Sequence, residues 1–563
     1  MRGVVTTLLA AGLSLGAATA HGAPRLANRC FDVSGLGVRH VKPTGLGTYL
    51  LYDGTETGPA IEWRIERAGR GYRLQRVADG TTRTARLTPV VGCKRYPEAG
   101  LGVRGRPRQV GLWGIADAHV HLTASLRAGG RVISGEPFSP YGLPDALGRD
   151  AEVHGPDGAA DVTGNLLRSG SPAGTHDTAG WPSFSGWPTF DTNTHQQIYY
   201  RWLQRAWRGG LRLAVAQTVE DQPLCQLEPL RSHSCDETET IELQARTLRD
   251  LQAYADAQAG GRGFFRIVTT PRQAARVIRA GRLAVIIGVE SSNPFGCSEV
   301  QGMPACDRAD VDAGIDRLRR AGVRGLFVAH WVDNALAGAA LEGGDKGTFI
   351  GAMQVEQTGG PFATGDCPQP GQGDSCNTRG LTELGEYAIR RLMDRHMLIE
   401  ADHLSERARQ RVLAIARERR YPLVSSHTGT GGTWTDPELR VLRETGGLAT
   451  ARLDAPEQLA KTTLRLRARG VGPALGTDVG GFSTLPAPVA GLRYPFQLGG
   501  ARFTRQRTGE RAYDLAKDGM AHYGLLPDLL ARARTAPGGR RALRALYGSA
   551  AAYLRMWRRV VRQ

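Results

Sequence analysis

From Gly111 onward, short apolar runs recur eight times, at 113–119, 211–217, 283–289, 325–329, 397–402, 422–426, 446–450 and 472–477. Runs such as Val285-Ile286-Ile287 show no polar alternation, which is how a strand buried on both faces reads. Between them, residues 310–321, 381–395, 405–419 and 455–469 are amphipathic at helical spacing. Strands that alternate with helices need crossover connections and pair in parallel. Eight such units predict an α/β chain whose core is a closed (β/α)8 TIM barrel.

Residues 28–100 follow a different rule. Thr48-Tyr49-Leu50-Leu51-Tyr52, Ile61-Glu62-Trp63-Arg64-Ile65 and Tyr72-Arg73-Leu74-Gln75-Arg76-Val77 alternate with period two between Gly and Asp turns, which predicts a small antiparallel β domain. The organisation expected is a signal peptide at 1–20, the β domain at 21–105 and the barrel at 106–563. A Gly-, Pro- and Trp-rich insertion at 122–210 follows the first barrel strand. It holds His154, His176 and His195 and the repeated Trp181-Pro182 and Trp187-Pro188. Such a segment either shapes a pocket or lid at the barrel mouth or packs as a surface excursion. The glycines Gly100, Gly102 and Gly105 run into Arg106-Pro107 instead of a helix and read as linker.

Met1-Arg2, an apolar stretch over 4–15 and Ala18-Thr19-Ala20 have the three regions of a secretory signal, with cleavage after Ala20 and a secreted or periplasmic product. No later run offers the roughly 20 apolar residues of a membrane span. Eight cysteines form an even set without Cys-x-x-Cys spacing, which favours disulfides over a cysteine metal site. Short separations pair Cys225 with Cys235, Cys297 with Cys306 and Cys367 with Cys376, leaving Cys30 with Cys93. The net charge of +18 is nearly all arginine dispersed along helical faces, as in Arg319-Arg320, Arg390-Arg391 and Arg419-Arg420. Nucleic-acid binding would want a clustered basic stripe with interleaved aromatics, so the partner expected is a small-molecule or peptide substrate. The basic tail over 555–562 reads as a helix end with some attraction to anionic surfaces.

The chemistry sits where the apolar runs stop. Asp117-Ala118-His119-Val120-His121 puts two imidazoles on one face of the first strand. Glu290, His330, His403, His427 and Asp478 each follow a later run directly. Parallel barrels carry their chemistry at these carboxyl ends, and a buried carboxylate among histidines calls for a cation. His396 sits at a helix end and reads as structural. No Gly-x-Ser-x-Gly elbow supports a serine nucleophile, and Gly343-Gly344-Asp345-Lys346-Gly347-Thr348 is too short for a phosphate loop.

This pattern resembles the amidohydrolase superfamily and, within it, the membrane (renal) dipeptidase family of zinc peptidases. The motifs that carry the resemblance are Val285-Ile286-Ile287-Gly288-Val289-Glu290, Ala329-His330-Trp331-Val332-Asp333-Asn334, Gly380-Leu381-Thr382 leading to Asp402-His403-Leu404-Ser405, Ser426-His427 and Gly476-Thr477-Asp478. The resemblance implies two zinc ions, one on His119 and His121 and the other on His403 and His427, with Glu290 bridging. It further implies Asp478 as the proton-transferring base and His330 as the group that stabilises the oxyanion. Two departures stand out. His121 occupies a position where the family has Asp, and Thr428-Gly429-Thr430-Gly431-Gly432-Thr433 follows His427 where the family carries an Arg-Asn segment that holds the dipeptide carboxylate. The function expected is metal-dependent cleavage of an amide or peptide bond. A lactone, an N-acyl amino acid or a phosphoester on the same centre is the alternative, and a non-catalytic secreted barrel with a surface-binding β domain is the alternative from another class.

Overall fold

The structure, a computed structural model, describes residues 26–105, 107–228, 230–372, 375–427, 434–453 and 455–563. Residues 1–20, expected as a signal peptide, and the glycine-threonine stretch at 428–433 lie outside the described residues. The chain divides into two compact units, one holding the described residues up to Tyr96 with Ala257–Arg262, the other Pro97–Asp256 with Gly263–Gln563.

The first unit is built on a seven-stranded antiparallel sheet, ordered Thr82–Ala85, Gly71–Arg76, Glu62–Ala68, Tyr49–Tyr52, Gly37–Pro43, Arg29–Val33 and Leu87–Pro89. Period-two alternation gathers Phe31, Val33, Val41, Leu51, Trp63 and Leu74 into one apolar cluster. The Cys30–Cys93 disulfide closes this unit's chain on itself.

The second unit carries the barrel. Its strands are β1 (Ile115–Val120), β2 (Leu211–Glu220), β3 (Leu283–Ser291), β4 (Val323–Leu326), β5 (Leu398–Ile399), β6 (Val424–Ser425), β7 (Leu448–Arg452) and β8 (Gly472–Gly476). They pair in parallel in the order β5-β4-β3-β2-β1-β8-β7-β6, and a parallel bridge between Glu400 and Val424 joins the two ends. Each falls on one of the eight apolar runs, and β3 is buried at all nine positions, as a strand covered on both faces must be. This sheet holds one further strand among the described residues, Phe265–Ile267, which pairs with the start of β3. The helices bury their apolar stripes inward, as Arg308–Arg320 does with Val311, Ile315 and Leu318. That helix opens on a capping box between Asp307 and Asp310, and Asp436–Thr445 opens on one between Thr435 and Glu438.

Between β1 and β2, the insertion packs into the main core through Phe184, Trp187, Ile198, Tyr199 and Trp202. It is therefore a packed excursion. The C-terminal helix Ser549–Val560 likewise buries Tyr553, Leu554, Met556 and Trp557, leaving Arg555 exposed, and the Ser549 hydroxyl accepts the backbone N–H of Ala116 at 2.7 Å. Disulfides Cys225–Cys235, Cys297–Cys306 and Cys367–Cys376 form as the spacing predicts. No helix among the described residues is long and apolar enough to cross a membrane.

Inside the barrel, β8 passes so close to β6 that a Cβ on Gly476 would fall 1.8 Å from the carbonyl oxygen of Ser426. No side-chain rotation relieves a clash between Cβ and backbone. Gly476→Ala should therefore cost about 1–3 kcal/mol or more and lower the thermal unfolding midpoint by several degrees. An unchanged midpoint would contradict this approach of the two strands.

Candidate functional site

Every site residue expected from the sequence lies at the carboxyl end of the barrel, and the structure brings all seven together. His119 and His121 share a face of β1, and their Nε2 atoms stand 3.0 Å apart. The outer nitrogens are anchored: His119 Nδ1 lies 3.1 Å from the Ser426 hydroxyl and His121 Nδ1 lies 3.1 Å from the carbonyl oxygen of Gln217. An imidazole that donates from Nδ1 keeps its Nε2 lone pair for a cation. Asp117, fully buried, accepts from the Thr477 hydroxyl at 2.7 Å and the Tyr523 hydroxyl at 2.7 Å, which ties β1 to the turn after β8.

Glu290, 2% exposed, lies between two histidine pairs. Its Oε2 is 3.5 Å from His119 Nε2 and 3.2 Å from His121 Nε2, whereas Oε1 is 3.3 Å from His403 Nε2 and 3.6 Å from His427 Nε2. Oε1 accepts no hydrogen bond of proper geometry despite its burial. Burial alone would raise this carboxyl; His330, His119 and His121 outweigh it and hold it well below the usual carboxylate range. His403 and His427 face each other with Nε2 atoms 2.7 Å apart. Lone-pair nitrogens turned toward one another around a carboxylate make a donor set that suits zinc-class ions.

The backbone is bent to aim these groups. His403 and Asp478 take φ of +60° and +51°, left-handed values that non-glycine residues hold only where neighbours enforce them. For Asp478 the enforcing contact is its N–H donating to the carbonyl oxygen of His119 at 2.9 Å. Its Oδ1 lies 3.2 Å from His121 Nε2, and its Oδ2 accepts from the Ser483 hydroxyl. Asp402 shapes the next strand end, accepting the N–H of His427 at 3.1 Å, the Ser425 hydroxyl at 3.0 Å and the Trp434 indole at 2.9 Å.

His330 depends on a residue the sequence reading did not single out. Its Nδ1 donates to Asp221 Oδ1 at 2.7 Å, and Asp221 also accepts from Arg127 at 2.6 Å and Ser292 at 2.6 Å. Burial alone would raise the Asp221 carboxyl, but His330 and Arg127 outweigh it and hold it at about 2. The guanidinium of Arg127 lies over the rings of Phe482 and Trp331, at 4.2 and 5.1 Å. Asp221 could have been found, because Glu220-Asp221 ends the β2 run as Glu290 ends β3. The apolar run at 211–217 ends three residues short of the strand's end.

These side chains open on a cavity of about 160 Å³ lined by Glu290, His330, His403, His427 and Asp478, with Lys346 and Arg452 also on its wall. Among the described residues that line it, none comes from 122–210. No arginine follows His427 in register, yet Arg452, at the end of β7, reaches the same space. It stands one strand later than the family's arginine segment would.

Residues 350–453, which include His403 and His427, match the family model of the membrane dipeptidases, peptidase family M19. No curated protein sequence matches the chain. Solved structures similar to it include an amidohydrolase from Pseudomonas aeruginosa, at 13% identity and TM-score 0.38 over 64% of this chain and 92% of that one. Another is the dipeptidase AC, a metallo peptidase of family M19, at 17% identity and TM-score 0.39 over 62% and 87%. A third is a metallo peptidase from Rhodobacter sphaeroides liganded with a phosphinate mimic of the dipeptide L-Ala-D-Ala, at 16% identity and TM-score 0.38 over 64% and 89%.

Behind the site, burial together with Asp221 and Glu237 pushes the Glu220 carboxyl from 4.5 up to about 8, although it accepts the N–H groups of Ala128 and Asp221. The folded chain therefore keeps a proton there that the unfolded chain releases, so this residue's contribution is full below pH 4.5 and drains away up to about pH 8. Thermal midpoints of Glu220→Gln and the parent, compared across that range, should diverge in favour of the variant and level off above it. A flat or reversed difference would contradict the assignment. The matched stretch and the histidine–carboxylate cluster at the barrel mouth together mark the chain as a metal-dependent hydrolase that resembles the membrane dipeptidases over residues 350–453.

Proposed function

We propose that the chain is an exported hydrolase that cleaves the amide bond of a dipeptide-like substrate at a centre for two zinc-class ions. The observation that carries this reading is the division of Glu290, one carboxylate oxygen facing His119 and His121 and the other facing His403 and His427. Those four histidines would hold the ions with Glu290 between them. Bound there, such ions would polarise the scissile carbonyl and lower the pKa of a shared water toward neutrality. Asp478 stands beside them with Oδ2 fixed by Ser483, placed to take the proton of the attacking water and return it to the leaving amine. His330 keeps Nε2 3.6 Å from Glu290; burial holds this ring below the usual imidazole value, and the anionic Asp221 behind it pulls the other way, toward a proton that negative charge building on the carbonyl oxygen would favour.

Lys346 and Arg452 on the wall of this small cavity support a substrate with a free carboxylate, which would share Lys346 with Glu342, its ion-pair partner at 3.5 Å on the same wall. Four disulfides support an oxidising compartment outside the cytoplasm. A second reading of His330 has its own observation: Glu290, His330 and His403 offer ligand atoms within 4.8 Å of one another, so His330 could serve as a ligand.

Chelated protein should lose dipeptide hydrolysis and regain it with added zinc, in a screen that includes D-residue dipeptides, N-acyl amino acids, lactones and phosphoesters. Turnover confined to lactones and phosphoesters would overturn the amide reading, turnover confined to N-acyl amino acids would overturn the dipeptide reading, and full activity without metal would overturn the centre. Asp478→Asn should lower kcat by roughly 10²–10⁴-fold with metal content retained. His330→Ala separates its two roles: a fall in kcat with metal retained supports the oxyanion role, and loss of metal makes it a ligand.

A further inference from the structure

Three of the thirteen histidines meet again inside the insertion, away from the catalytic cluster and sharing no residue with it. Asp150 and His154 lie on the short helix Asp150–His154, and His176 and His195 come from the stretch between Gly170 and Tyr199, which has no helix and no strand beyond a single bridge. We propose that Asp150, His154, His176 and His195 form a second, structural metal site that binds one zinc-class divalent ion and clips the insertion together.

The geometry fits a four-ligand site. All four ligand atoms lie within 4.8 Å of one another. Asp150 Oδ1 is 2.9 Å from His154 Nδ1 and 3.2 Å from His195 Nε2, Asp150 Oδ2 is 3.0 Å from His176 Nε2, and the Nε2 atoms of His176 and His195 are 3.1 Å apart. Bonds of about 2.0–2.1 Å around a tetrahedral ion put its ligands roughly 3.3 Å apart, close to these separations. The three rings stand nearly perpendicular to one another, with interplanar angles of 80°, 78° and 81°, so their nitrogens converge without stacking.

Hydrogen bonding leaves the cluster incomplete without a cation. His154 Nε2 donates to the carbonyl oxygen of Val132 at 3.0 Å, so in the neutral ring Nδ1 is a bare lone pair facing Asp150 Oδ1. Both atoms are buried and make no hydrogen bond of proper geometry. Two acceptors at that distance repel unless a positive charge lies between them. The supporting groups are also present: Asp161 lies 3.7 Å from His154 Nε2 and 3.9 Å from His176 Nδ1, and it is held by the Thr194 hydroxyl and the Gly164 N–H. Trp187 packs on the ring of His195, and a Cβ on Gly158 would fall 2.3 Å from His176 Nδ1, so only glycine lets that ring lie there. Three imidazoles and one carboxylate suit zinc, and four protein ligands in a buried setting leave no open position, which is the structural kind of site.

The test uses the full chain with the barrel-mouth ligands removed, His119→Ala/His121→Ala/His403→Ala, loaded with zinc and dialysed. One equivalent should remain, and its X-ray absorption should fit three imidazole nitrogens and one carboxylate oxygen at about 2.0–2.1 Å. Adding Asp150→Asn and His195→Gln should remove it. In the otherwise native chain that pair should lower metal content by one equivalent and open the 170–199 stretch to limited proteolysis. A triple variant that is folded by circular dichroism yet retains no zinc, an absorption spectrum with a different ligand set, or unchanged metal content after Asp150→Asn/His195→Gln would each overturn the site. If that pair fails to fold, the absorption measurement on the triple variant still decides.

Discussion

Glu290 sits at the centre of the barrel mouth with almost no solvent contact, ringed by imidazole nitrogens of five histidines. Removing a carboxylate from water costs several kcal/mol, and the cost is recovered only if positive charge and donors are supplied at close range. Imidazoles left neutral would supply neither in full, because their ring nitrogens facing Glu290 also face one another. The arrangement becomes favourable with cations between those nitrogens and the carboxylate.

The rest of the barrel end can be read as the framework that holds this centre in register. Asp117 fastens β1 to the turn after β8, Asp402 fastens the ends of β5 and β6, and Asp221 carries His330 on a buried charge network through Arg127. Each of these carboxylates sits one layer out from the histidines and fixes a strand end or an imidazole nitrogen. The left-handed backbone at His403 and Asp478 belongs to the same framework, since strand ends must turn sharply to bring side chains inward. Apolar burial along β3 and its neighbours makes the barrel rigid enough to hold that strain.

Much of this was legible in the sequence for a simple reason. Strands covered on both faces must be apolar throughout, so the first polar residue after each run marks the barrel's end, and Glu290, His330, His403, His427 and Asp478 all announced themselves that way. Cysteine separations of nine or ten residues likewise left little choice of partner. What stayed hidden depended on tertiary placement. Asp221 was missed because β2 runs past polar Gln217, whose backbone continues the strand while its carbonyl serves His121. Arg452 is hidden because the resemblance places a carboxylate-holding arginine directly after His427, where this chain has none, whereas the barrel brings the neighbouring strand's end to the same cavity. The insertion's histidines have no regular spacing, so only the fold could show that His154, His176 and His195 converge on Asp150.

Anomalous diffraction at the zinc edge, from crystals grown with zinc, tests the central claim most directly. Two peaks about 3.5–4 Å apart should appear at the barrel mouth on either side of Glu290, one against His119 and His121 and the other against His403 and His427. A single peak out of contact with Glu290, or none at the barrel mouth, would contradict the account.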